Sequence, residues 1–435
     1  MAIMHQLSDF LALFDTRPGE VARGLLGLVL FVGVAWAVSE ARRAFPWKAV
    51  FVGVASQIVL AILLTRVPAV IAFFGAIATG VNFVQSSATA GATFVFGYLG
   101  GGPTPFVKAP GDASTFIFAL QALPAVLLVS ALSAVLWHWG ILRVIVRGAA
   151  WLFGRWFDVS GPVGVSTSAC IFLGMVEAPL LVRPLLPKLS RSEVFILMVD
   201  GMSVLAGSMM ILLGSLLSAK VPGAFAHLLS ASLISTPMAI TLARVMIPGE
   251  RTEHEALKLE TPYRSALDAM THGTINGLRV AAYIAGLLIV FVGTIALINL
   301  ILAQVPHSGA PLTLGTIFGW VLAPVAWLMG VASPDLQTVG GLLGTKVSMN
   351  EVVAYGQLLA LPAGALQPRS ILMLTYALCS FGNLGSVAIL IGTLSAMAPE
   401  KADEIVSLGF KALLAAFLTT CMTATLIGLM AAVQS

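Results

Sequence analysis

Lys346-Val-Ser-Met-Asn350-Glu351-Val352 is a short charged stretch set between long apolar runs, and it has a near-double earlier in the chain, Lys188-Leu-Ser-Arg-Ser192-Glu193-Val194. Both copies keep Lys, Ser, Glu and Val in the same places. Each follows an apolar segment that carries an acid, Glu177 before the first copy and Asp335 before the second. A duplication of this kind predicts two related halves in a membrane protein.

The background against which these charges stand out is extreme. Of 435 residues, 58% are hydrophobic and only 10% charged, with a mean hydropathy of +0.99, so the chain has too little polar surface for a soluble globule. Apolar runs recur that can each cross about 30 Å of hydrocarbon as a helix, and backbone that touches lipid must be helical. The fold class expected is an all-α polytopic membrane protein. Cys170, Cys379 and Cys421 all lie in apolar segments, which argues for small buried thiols and against a disulfide framework. The net charge of +4 sits mostly between spans, with no basic stripe interleaved with aromatics, so a nucleic-acid partner is not expected. Asp9 and Asp15 replace the basic region of a cleaved signal peptide.

Outward from the repeated stretch, the pattern predicts spans at 24–40, 49–74 and 114–142. A Gly-rich, semi-polar piece at 76–110 reads as an interfacial helix and an outside loop. Arg42, Arg43 and Lys48, then Arg143, Arg147 and Arg155, mark cytoplasmic links and place the N-terminus on the periplasmic side of an inner membrane. Residues 161–187, broken by Gly174 and by Pro179, Pro184 and Pro187, predict a re-entrant hairpin with Glu177 at its tip. A span with a weak middle follows at 194–217, another at 225–246, and a charged link at 248–264 divides the halves. After an extra span at 280–305 the order repeats: a broken stretch at 312–345 with Asp335 at its middle, a helix through Leu361, and a span interrupted at Phe381-Gly-Asn383-Leu-Gly385-Ser386. A final span covers 407–433. Discontinuous helices at matched places in two halves point to a transport site near the midplane.

Ionisable groups in such segments cost about 2.5–3.5 kcal/mol each at a helix centre, so they need a reason. Glu193 reads as a helix-start charge after Ser190, and Asp200 as a structural partner of a nearby Arg or Lys. His138, between Trp137 and Trp139, reads as an interfacial belt residue. Glu351 differs, because Asn350 and the interrupted stretch at 381–386 offer amide, hydroxyl and aromatic groups to one polar ligand. An intramembrane enzyme would need a nucleophile with a base or a metal cluster, and no HExxH motif or paired Asp motif occurs. A channel fits less well than a carrier, since two closed hairpins suit occlusion.

Several motifs together carry a resemblance: Gly91-Ala-Thr-Phe-Val-Phe-Gly97, Glu177-Ala-Pro-Leu-Leu-Val-Arg-Pro184, Trp327-Leu-Met-Gly-Val331, Asn350-Glu-Val-Val-Ala-Tyr355 and Phe381-Gly-Asn-Leu-Gly-Ser386. In this order the chain resembles a concentrative nucleoside transporter from about Gly24 onward. The resemblance implies a homotrimer with an elevator-type transport domain moving past a scaffold, and a nucleoside-like substrate. It divides the chain into N-terminal scaffold spans (1–75), an interfacial helix and scaffold span (76–142), a first transport repeat (143–247), a charged link and scaffold span (248–306) and a second transport repeat (307–435). It also implies that Glu351, Asn383 and Ser386 hold ribose hydroxyls while Phe381 packs on the base, a division a carboxylate and a ring face suit.

Departures from the family pattern shape the remaining expectations. Where the family has Gln and Thr at the first tip to read the base, this chain has Met175 and Val176, so selectivity shifts or passes to Glu177. Two sodium-binding positions of the family correspond to Cys170 and Val204, poor ligands for a hard cation. Proton coupling through Glu351 or Glu177 is therefore expected ahead of sodium coupling, with no other cofactor. A nucleobase or other ribosyl compound is the alternative substrate.

Overall fold

Proline and glycine punctuate a chain that is otherwise almost wholly helical. The computed structural model describes residues 17–106, 115–249, 252, 259, 261–305 and 311–432. Asp9 and Asp15, and most of the charged link, lie outside the described residues.

Helix α1 (Arg17–Ala37) is followed by α2 (Trp47–Arg66) and α3 (Pro68–Phe96). The expected second span at 49–74 is thus two helices. Val67 is extended, as a residue before proline prefers, and Pro68 opens the next helix where its missing N–H costs nothing. Beyond it the Gly-rich piece stays helical to Phe96, because isolated glycines weaken a helix without ending one. This helix runs across the expected boundary at residue 75.

The third span also ends earlier than 142. Helix α4 (Pro124–His138) stops at Gly140, whose φ of 88° is left-handed, and a separate amphipathic helix α5 (Ile141–Phe157) follows. Arg143 sits on α5 and donates to the carbonyls of Trp137 (3.0 Å) and His138 (3.0 Å), so it caps α4. Trp137 is buried and belongs to the core, whereas Trp139 is exposed.

A helix–turn–helix unit comes next: α6 (Gly161–Leu173), a tip at Gly174, the one-turn helix α7 (Glu177–Leu180) and a 3-10 turn Arg183–Lys188. Helix α8 (Arg191–Ser203) and helix α9 (Gly207–Leu217) are separated by an extended break at Val204 to Ala206, and α10 (Ala224–Met246) closes this half. Helix α11 (Ala266–Leu302) is 37 residues long and largely exposed, packing on α4 through Gly273 and Gly277. A Cβ at Gly277 would stand 2.7 Å from Leu127 Cα, so only hydrogen permits this backbone approach.

The second half repeats the order. Helices α12 (Leu314–Leu328) and α13 (Leu336–Ser348) pack along their length, joined by a tip whose Gly330 has φ 85°, the counterpart of Gly174 at φ 100°. Helix α14 (Glu351–Ala360) follows. Helices α15 (Pro368–Ala377) and α16 (Leu384–Met397) flank a non-helical break, and α17 (Ala402–Ala432) ends the described chain. Among the described residues, eight helical segments are long and apolar enough to span a membrane. Helices α8, α10 and α17 pack on one another and form the buried centre.

The two copies of the charged stretch part company here. In the first, Ser190 accepts from Glu193 N (3.3 Å) while Glu193 accepts from Ser190 N (2.8 Å), a reciprocal capping box that gives Glu193 a structural task. In the second, the cap has moved to Asn350, which accepts from Val353 N (2.9 Å), so Glu351 opens its helix instead of closing a box. Lys188 is exposed, but Lys346 is fully buried.

Candidate functional site

The best-defined polar site in the core forms where the starts of α14 and α16 converge. Each helix is capped by an asparagine, because its first N–H groups have no partner within the helix. Asn383 uses its carbonyl oxygen to accept from Ser386 N (2.8 Å), which turns its amide nitrogen toward Glu351 Oε2 at 3.2 Å. One side chain thus fixes a helix start and orients a carboxylate. Glu351, Asn383 and Ser386 are each 4% exposed. The positive ends of both helices favour the carboxylate's charge.

A second charged side chain completes the arrangement. Lys346 Nζ donates to Thr420 Oγ1 (3.3 Å), lies 5.9 Å from the Phe417 ring centroid, and is close enough to act electrostatically on Glu351 without a direct ion pair. Nothing in the sequence distinguishes Lys346 from its exposed twin Lys188; only burial does. Gln57, Ser235 and Thr423 were also missed: Gln57 Nε2 donates to Thr423 Oγ1 (3.1 Å), which lies 3.0 Å from Ser235 Oγ. An amide inside an apolar span was the available signal.

The breaks of the two halves meet directly. Phe381 N donates to Val204 O at 3.4 Å, and the backbone at Gly382 lies against Met202 O. Phe381 is half-buried there, on the same stretch as Asn383. Asn350 is spent as a cap. The first tip turns elsewhere: Met175 is buried against Gly201, Val176 is half-buried, and Glu177 lines a cavity of about 190 Å³ with Trp137, Tyr263, Ser208 and Asn276. Among the described residues the structure shows no contact between Glu177 and Glu351.

One expectation about an acid is corrected. Neither carboxylate oxygen of Asp200 meets an Arg or Lys among the described residues; Arg191 and Arg244 reach Glu40 and Asp158 O instead. At the second tip, Asp335 Oδ2 accepts from Gln367 N (3.0 Å) and ties the tip to the start of α15.

With this geometry in view, comparison with known proteins places the chain. The Na+ dependent nucleoside transporter C-terminus family model matches residues 227–428, its N-terminus counterpart residues 26–99, and a Gate model for nucleoside recognition residues 119–220. An uncharacterized transporter of Haemophilus influenzae (strain ATCC 51907 / DSM 11121 / KW20 / Rd) is 35% identical over 427 residues, covering 94% of this chain and 98% of that protein. The nucleoside permease NupC of Helicobacter pylori (strain ATCC 700392 / 26695) is 30% identical over 413 residues, covering 93% and 96%. The chain belongs to the concentrative nucleoside transporter family. It is a transporter, not an enzyme. Its fold is similar to the structure of CNTnw in an inward-facing substrate-bound state, with a TM-score of 0.84 and 31% identity over 94% of this chain and 98% of that one. It is equally similar to an outward-facing CNTnw variant (TM-score 0.85).

Within this transporter family the two departures noted above acquire a geometry. Cys170 Sγ points to Gly174 O (3.7 Å), Cys170 O accepts from Gly174 N (2.9 Å), and Val204 O is taken by Phe381 N. Neither side chain, a thiol and an alkyl group, supplies an oxygen. Among the described residues no cluster of three or more His, Cys, Asp or Glu is arranged as a metal site.

Proposed function

We propose that this chain imports nucleosides or nucleoside-like solutes across the inner membrane by secondary-active, cation-coupled transport. The observation that carries the reading is the Asn383–Glu351 contact across two helix starts, with Ser386 on the next turn. A carboxylate held this way accepts two vicinal hydroxyl hydrogens of a ribose, and Asn383 and Ser386 supply neighbouring polar groups. Phe381, on the same break, stacks the base. In this reading Lys346 and Asn350 hold Glu351 in place, and Glu177 joins the site when the first tip moves.

The helix–turn–helix units α6–α7 and α12–α13 act as re-entrant hairpins of two inverted repeats. Together with the broken helices they form the transport domain of each subunit in a homotrimer. Helices α1 to α4 and α11 form the scaffold, with the N-terminus periplasmic, and the domain moves past it in an elevator motion. Proton coupling is favoured over sodium because Cys170 and Val204 offer a thiol and an alkyl side chain where a hard cation needs oxygens. Met175 and Val176 provide packing alone at the first tip, which favours broad base selectivity and admits free bases or other ribosyl compounds as a second reading.

Uptake into proteoliposomes under separate pH and sodium gradients tests the proposal. Saturable accumulation of uridine or adenosine driven by an inward proton gradient is expected. Sodium-driven uptake that ignores pH would remove proton coupling, and binding of free bases as tight as that of nucleosides would remove the ribose-centred site.

A further inference from the structure

Helix α8 carries the most isolated acid in the described protein. Asp200 is 0% exposed, and neither of its carboxylate oxygens has a hydrogen-bond partner. The hydroxyl of Thr236 on α10 lies close enough to weigh on Asp200 as a long hydrogen bond, but its closer acceptor is Ser232 O (3.2 Å). An ionised carboxylate in such a place would carry an uncompensated desolvation cost of several kcal/mol, whereas the neutral acid carries only that of a hydroxyl and a carbonyl.

The surroundings of Asp200 supply no countercharge. Helix α6 presents Cys170, a buried neutral thiol close enough to both Asp200 and Glu177 to feel their charges and carrying none of its own. Helix α16 has no titratable side chain. On α10, His227 pairs with Tyr376 OH (3.0 Å) and Arg244 with Asp158 O (2.8 Å). On α17, Lys411 binds Glu40, Glu404 pairs with Lys401, Cys421 faces Lys346, and Asp403 lies in the first turn at the far end. On α8 itself, Arg191 and Glu193 lie about two turns away and are engaged with Glu40 and Ser190.

The position of this acid is also mechanical. Its neighbour Gly201 packs on Met175 of the first tip, where an added Cβ would stand 3.2 Å from Met175 Cβ and 4.0 Å from Cys170 Sγ. One turn further on, Val204 opens the break that accepts from Phe381 N. A charge change at Asp200 is therefore felt by the first tip and by the break that meets the candidate substrate site.

We propose that Asp200 is the proton-binding group of the transport cycle. Its carboxylate takes one proton to become the neutral acid when the site communicates with the acidic side, and returns that proton when opening lets water reach it on the other side. The neutral form lets the first tip close over α8. The ionised form demands water and holds the tip open. This inference rests on the transport reading above and replaces Glu351 and Glu177 as the coupling group, leaving both for the substrate.

The test is Asp200→Asn, a neutral side chain of nearly the same shape, in proteoliposomes. The wild type is expected to accumulate radiolabelled uridine or adenosine when the outside is acidified. The variant should lose at least tenfold of that accumulation while retaining counterflow exchange, which needs no gradient. Accumulation by the variant that still follows the pH gradient overturns the proposal, as does loss of counterflow in a variant that still binds nucleoside. A measurement free of any variant is proton exchange when uridine or adenosine is added to wild-type protein in weakly buffered detergent; no exchange overturns the proposal. Sodium-driven, pH-insensitive uptake by the wild type would sink the proton site alone. Absence of any nucleoside counterflow in the wild type would sink the transport reading together with it.

Discussion

Replacing Glu351 by Gln separates the ligand-binding role of this carboxylate from a structural one. The carboxylate accepts from Asn383 Nδ2 at 3.2 Å, and Asn383 cannot rotate to suit a new neighbour because its oxygen caps Ser386 N at 2.8 Å. A Gln amide must therefore point its NH2 either at Asn383, donor against donor, or into the site, where it meets ligand hydroxyls as a donor. Hydrogen bonds to a charged acceptor are worth about 1.5–3 kcal/mol each, and a stranded polar group costs a further 1–3 kcal/mol. A loss of about 3 kcal/mol is the conservative sum and corresponds to roughly a hundredfold in Kd. The fold should not suffer, since removing a buried charge also removes its desolvation cost. Calorimetry or equilibrium binding of uridine and adenosine to purified protein reads the affinity, and thermal unfolding without ligand reads the fold. Unchanged nucleoside affinity in Glu351→Gln, with a Tm equal to the wild type's, would refute the placement of Glu351 in the site.

Further outcomes follow from other contacts. Asn383→Ala removes both a cap and the carboxylate's orienting group; it should lower stability by about 1 kcal/mol and also weaken nucleoside binding, whereas Ser190→Ala, which removes the equivalent cap without touching the site, should cost about the same stability with affinity intact. Glu40 accepts from Arg191 (2.9 Å) and Lys411 (2.7 Å), and the Arg191 hydrogen bond, opposed by burial and helped by Lys411, holds its carboxyl at about 2. Its contribution is complete above the ordinary carboxylate range near 4.5 and disappears as pH falls toward 2. After discounting for partial exposure this is about 1–2 kcal/mol, so Tm should fall more steeply below pH 4.5 in the wild type than in Glu40→Gln. Gly340→Val would place a Cβ 2.8 Å from Gly319 O and force α12 and α13 apart; loss of folded, monodisperse protein on size-exclusion chromatography is expected, and a normal elution profile would argue against the close packing.

The helices and their breaks were legible because the signals are local. Composition alone demands membrane helices, and Gly174, Gly330 and the Phe381 to Ser386 run mark where regular helix stops. Errors fell where two local signals compete: Pro68 starts a helix that the Gly-rich run seemed too weak to continue, and the arginines after His138 belong to α5, not to a link. The candidate site was legible in part. Glu351, Asn383 and Ser386 were named and do meet, while Glu177 faces its own cavity and Asp335 is tied to Gln367.

What the sequence determined by itself is the class of protein, the order of helices, tips and breaks, and the short set of polar residues that an apolar interior makes expensive. Hydrophobic pattern and helix-breaking chemistry act over a few residues, so one chain displays them. Which polar groups share a partner was decided only by the tertiary structure. Two copies of one charged stretch look alike in sequence, yet the first closes a capping box at Glu193 and the second leaves Glu351 to Asn383 and buries Lys346 beside Thr420. Among the described residues the fold likewise left Asp200 without a cation at the centre of the helices. Burial and pairing depend on contacts between residues far apart along the chain, and no local pattern records them.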